Sequence, residues 1–147
     1  TTWQRGMTQE AEASAGNEDV QWSTAVLPAG STGGVDAVLI FTYRLNLPVT
    51  PEVMDAAEAE FTSLLGQLAD QVDGSVTAGP HRFSTAQGLP GLRYEMAGTI
   101  DGIPYESSLI LIFDGTTEYF INCQHTASMA AEIQRGCEQI VNSFRVD

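Results

Sequence analysis

The sequence predicts an α+β fold, a mostly antiparallel sheet with covering layers on both of its faces. Three observations carry this. Period-two hydrophobic stretches between Arg82 and Cys123 are broken by the pairs Asp101-Gly102 and Asp114-Gly115, and such pairs accept the positive φ angles of tight hairpin turns. The run Leu109–Phe113 (LILIF) is apolar on both faces, which a strand needs only when it is covered on both sides. Two further segments, 51–72 and 130–144, repeat apolar residues at the three-four spacing of amphipathic helices.

The 147 residues correspond to one domain spanning 1–147, large enough to bury a core without help from a metal. Residues 1–34 form its least regular part. Met7 to Val20 is polar and rich in small residues, and Pro28 to Asp36 is loop-like in composition. Between them VQWSTAVL alternates as a strand. Trp3 and Trp22 both fall in this third, where core packing is expected of each and a ligand-facing platform is the alternative. Val35 to Leu47 then reads as a strand region, with Leu39, Phe41 and Tyr43 on one face and Val38 and Ile40 on the other.

The first helix is expected to be capped by Thr50, with Pro51 at its first position and Glu52 at its positive end. Met54, Ala57, Phe61, Leu64, Leu65, Leu68 and Val72 make its buried stripe, Glu52, Asp55 and Glu58 a solvated face, and Asp73-Gly74 its stop. The segments GLRYEMAGTI, PYESSLILIF and EYFINC follow as an antiparallel meander. His81, after Gly79-Pro80, reads as a surface residue behind a turn. His125 reads as a polar linker ahead of the last helix.

In the closing helix Ile133, Cys137, Ile140, Val141 and Phe144 share one face. Cys123 ends the preceding strand on the side of Tyr119 and Ile121. A helix folding back over its own strand brings Cys123 and Cys137 together, so a structural disulfide between these two cysteines is expected. Two buried free thiols are the alternative. A disulfide points to an oxidising compartment.

Chemistry-bearing motifs are absent from the sequence. It holds no nucleophile elbow, phosphate loop, paired-histidine zinc motif or dinucleotide fingerprint. No catalytic, cofactor-binding or metal residues are therefore assigned. DQVDG (70–74) lacks the ligand spacing of a calcium loop. Glu95 and Glu106, on facing hairpin strands, are the nearest thing to an acid-base pair, although Arg93 is at hand as a counter-charge and solvated positions are the simpler reading. Nineteen acids oppose six arginines, with no lysine and a net charge of −13. Nucleic acid and anionic membrane are thereby disfavoured as partners, because both are held by clusters of cations.

The order of these segments, with GLPGLRYEMAGTIDGIPYESSLILIF, the strand EYFINC and the closing AEIQRGCEQIVNSFRV, resembles the PsbP-like family, and within it the small secreted proteins and lipoproteins of actinobacteria. The resemblance spans Val35 to Val146, while the first third departs from the family's P-x-G-W opening. It implies a three-layer α/β/α sandwich and non-enzymatic work. The expected function is that of a non-catalytic binding or assembly protein, extracellular or at the cell envelope, either released or lipid-anchored through a trimmed amino-terminal segment. The alternative is a carrier of a small apolar or lipid ligand, and an enzyme with its residues drawn from separate loops is the third reading. The partner is thus an unknown protein or a small apolar ligand.

Overall fold

Period-two stretches pair edge to edge into one seven-stranded sheet in the computed structural model, which describes residues 3–6, 20–28 and 34–147. The strands are β1 (Trp3–Gly6), β2 (Val20–Pro28), β3 (Ala37–Arg44), β4 (Ser75–Ser84), β5 (Pro90–Ile100), β6 (Ile103–Asp114) and β7 (Thr117–His125). Their order across the sheet is β1-β2-β3-β7-β6-β5-β4, and every neighbouring pair is antiparallel. Helix α1 (Met54–Gln71) connects β3 to the far edge strand β4, from which β4 to β7 return as a meander. Helix α2 (Ala130–Asn142) follows β7.

Alternation in β6 divides the core between the two faces. Leu109, Leu111 and Phe113 pack with Leu92, Tyr94 and Met96 under Met54, Leu65 and Ala69 of α1. Ile110 and Ile112 pack with Val38 and Ile121 under Ile133 and Cys137 of α2. The architecture is a three-layer α/β/α sandwich, and the two-sided apolarity of Leu109–Phe113 is used as expected. Cys123 and Cys137 are joined by a disulfide with Cα atoms 6.0 Å apart. It ties α2 to the strand it covers.

Several local expectations are corrected. The segment 75–84 is an edge strand, and Gly79-Pro80 is not a turn before His81 but part of a bulge within β4, where the register with β5 slips between Ala78 and His81. Proline lacks the N–H that a central strand must donate, and an edge strand at a bulge tolerates it. Glycine is required beside it, because Gly79 has φ +100° and a Cβ there would sit 2.6 Å from the carbonyl oxygen of Arg93. Thr50 does not cap the helix. A 3-10 turn, Pro51–Val53, precedes α1 and carries no side-chain cap. The carboxyl of Glu52 is held below its usual range by its own backbone N–H and by the Thr50 hydroxyl.

At the other end of α1 the left-handed residue is Asp73 (φ 49°), and the N–H of Gly74 donates to the Ala69 carbonyl at 2.8 Å. This is the six-to-one bond of a helix stop. Asp55 and Glu58 are not merely solvated, since Arg82 of β4 donates to both and fastens α1 to the sheet edge. His125 is not a linker residue but the buried end of β7, with Nδ1 3.2 Å from the Thr126 carbonyl. Asp36 accepts from the N–H (2.7 Å) and hydroxyl (3.0 Å) of Thr126, securing the turn into α2. Trp22 is half exposed rather than core. The side chain of Trp3, residues 7–19 of the polar stretch and residues 29–33 of the expected loop lie outside the described residues.

Candidate functional site

The stripe along α1 is wider than the sheet beneath it can bury. Leu65 and Ala69 are buried, yet Leu64 is 50% and Leu68 43% exposed, although the same periodicity assigns both leucines to the core. The reason lies in where α1 sits. It packs chiefly on β4 and β5 at one side of the sheet, so its flank toward β3 is only partly covered among the described residues.

That flank is one wall of a groove of about 730 Å³. Phe61, Leu64, Leu65 and Leu68 line it from α1. The opposite wall is the segment Leu45–Val49 after β3, held by N–H groups of Leu45 and Val49 that donate to the carbonyls of Thr116 (2.7 Å) and Gly115 (3.2 Å) in the β6–β7 turn. The floor comes from Tyr43, Leu111, Glu118 and Phe120. Phe41 supports it from β3, its ring 6.1 Å from that of Phe120 and 6.2 Å from that of Tyr43. The volume falls within the roughly 300–1,000 Å³ usual for small-molecule sites.

Glu118 is the anomaly in this apolar setting. Alternation in β7 turns it, with Phe120, toward α1, opposite Tyr43 on β3 and Phe113 on β6. It is 6% exposed, and its Oε1 finds no hydrogen-bond partner among the described residues. Desolvation pushes its carboxyl up to about 7 from an ordinary 4.5, because burial disfavours the charged form. Burial, and then the charge of Glu118, push the Tyr43 hydroxyl up to about 12. Arg44 and Glu60 also line the groove and bring charge to it. The arrangement can hold an apolar body, and it offers one poorly solvated carboxyl to whatever lies there.

Glu95 and Glu106 are not brought together as a carboxylate pair. The register sets Ser108 opposite Glu95 and Ala97 opposite Glu106. Glu95 accepts from the Ser108 hydroxyl at 2.6 Å and from Arg93 at 2.9 Å, while Arg93 reaches Glu138 on α2 at 2.9 Å. Glu106 is largely exposed, 4.0 Å from His125 Nε2. His81 is exposed on β4. No group of three or more metal-ligating side chains occurs among the described residues, and no described helix is long and apolar enough to cross a membrane.

The sequence did not single out Glu118 or the groove. The only signal was position, since alternation in EYFINC sets Glu118 beside Phe120 on the side that α1 should cover. Exposed Leu64 and Leu68 carried no such signal.

No protein-family model matches the sequence. No curated protein matches it. Among solved structures, cyanobacterial PsbP (CyanoP) from Synechocystis sp. PCC 6803 is similar at a TM-score of 0.56 and 10% identity, over 99% of this chain and 93% of that one. A protein of unknown function from Pseudomonas aeruginosa is similar at a TM-score of 0.57 and 11% identity, over 90% of this chain and 88% of that one. Identities this low carry the fold alone. The fold is PsbP-like.

Proposed function

We propose that the protein is a non-catalytic binding protein, secreted or held at the cell envelope, and that the groove beside α1 takes a small apolar or lipid ligand. The observation that carries this is the exposed pair Leu64 and Leu68 facing the aromatic floor of Tyr43 and Phe120 across a cavity of ligand size. Leaving such surface wet costs about 25 cal/mol per Å², so an occupant that covers it gains that amount. The Cys123–Cys137 disulfide supports an oxidising compartment, and the resemblance to small actinobacterial lipoproteins supports the envelope. A non-catalytic role is supported by the separate partners of Glu95 and Glu106. A net charge of −13 without lysine supports an uncharged or cationic partner over nucleic acid or anionic lipid surfaces.

The test is displacement of an environment-sensitive apolar dye by twelve-carbon chains below their micelle concentration, followed on the whole chain. Saturable one-to-one binding that disappears in Leu64→Trp, which fills the groove from an exposed position, is expected. Absence of saturable binding, or binding unchanged in Leu64→Trp, overturns the proposal.

A further inference from the structure

The groove carries on its floor a buried acceptor that has no donor among the described residues. We propose that its ligand is an amphiphile with an apolar chain and a cationic amino head, whose N–H donates to Oε1 of Glu118. This rests on the groove being the binding site. The chain lies between the leucines of α1 and the Phe120 floor, and the head meets the one buried side-chain oxygen of the lining that lacks a hydrogen-bond partner among the described residues.

The electrostatics favour an amine over an acid head. Facing Glu118 are Tyr43 from β3 and Phe113 from β6, while Arg44 at the end of β3 and Glu60 of α1 share the lining. Asp114 does not face the groove, because it follows Ile112 on the α2 face, where burial, and then the charge of Asp114, raise the Tyr119 hydroxyl. The groove thus holds two carboxyls and one guanidinium. Burial alone keeps the Glu118 proton on to about pH 7. An ammonium placed against it restores the charged form, and the displaced proton passes to the buffer. A carboxylate head instead repels ionised Glu118, and binds best while that proton stays in place. The chain's own residues 7–19 suit the groove poorly, since MTQEAEASAGNED has no aromatic, leucine, isoleucine or valine and holds four acids.

The experiment is calorimetric titration of the wild-type chain, Glu118→Gln and Leu64→Trp with dodecylamine hydrochloride, dodecanol and sodium dodecanoate at pH 6 and pH 8. Each titration is run in two buffers of different ionisation enthalpy, with folding checked by circular dichroism. Dodecylammonium is expected to bind most tightly, more strongly at pH 8 than at pH 6, with proton release near pH 6 that is lost in Glu118→Gln. Its advantage over dodecanoate is expected to fall by roughly thirtyfold or more in Glu118→Gln, the loss typical of removing one partner from a buried charge pair. Equal or tighter binding of dodecanoate, or an unchanged ratio in Glu118→Gln, overturns the head-group inference while leaving the groove as the site. If none of the three chains binds, or all bind Leu64→Trp equally, the groove reading itself fails.

Discussion

Replacing Glu118 with Gln should change how stability depends on pH, in a direction set by its burial. In the folded chain the carboxyl keeps its proton to about pH 7, against an ordinary value of 4.5. Below pH 4.5 both the folded and unfolded chains are protonated there, and the group adds no pH dependence. Between 4.5 and 7 the unfolded chain ionises while the folded chain does not, so stability falls as pH rises. Above 7 the folded chain ionises too, and the loss levels off. The gap corresponds to about 3 kcal/mol at roughly 1.4 kcal/mol per pH unit. At 6% exposure solvent screening takes little from this figure. Urea unfolding of both chains, followed by circular dichroism from pH 4 to pH 8, isolates the effect, because every other titrating group is common to both. The stability of Glu118→Gln relative to wild type should grow by about 3 kcal/mol across that range, most of it between pH 5 and pH 7. A difference that stays flat with pH, as for a solvated Glu118, or that slopes the other way, as for a paired one, would refute the reasoning.

The disulfide closes a loop with a sequence separation of 14, so the double substitution Cys123→Ala with Cys137→Ala should cost roughly 3 kcal/mol in urea unfolding, and thiol titration of the denatured, unreduced wild type should find none. Leu111 is 2% exposed beneath α1; Leu111→Asp buries an unpaired charge, and loss of the cooperative thermal transition is the expected outcome, a native-like one the refuting outcome. Gly79→Ala should lower the melting temperature clearly more than Gly88→Ala, because both glycines have positive φ but only at Gly79 does a Cβ meet backbone.

Much of the architecture could be read from the residues because it rests on local rules. Alternation in 90–123, the Asp-Gly turns and the three-four spacing of 130–144 each act over a few residues, and they sufficed for the meander, the closing helix and the facing of Cys137 toward Cys123. The two apolar faces of Leu109–Phe113 even specified layers on both sides. What the sequence could not decide was lateral position. Hydrophobic spacing places a residue on a face of its own element, but says nothing of which strand lies opposite or whether any does. The order β3-β7-β6-β5-β4 sends α1 over the far edge, which buries Leu65 and leaves Leu64, one position away, half in water. Glu118 depends on the same placement. Its β-strand alternation was visible, but its burial depends on tertiary neighbours, with Tyr43 and Phe113 beside it on adjacent strands and α1 and the Leu45–Val49 segment lining the same groove. Thr50 and Gly79-Pro80 misled for a related reason, since caps and turns are scored by residue type while the chain's path past them is set by packing. Strands, helices and the disulfide thus followed from short-range pattern, whereas the groove and its carboxyl came from how far one helix lies from the centre of the sheet.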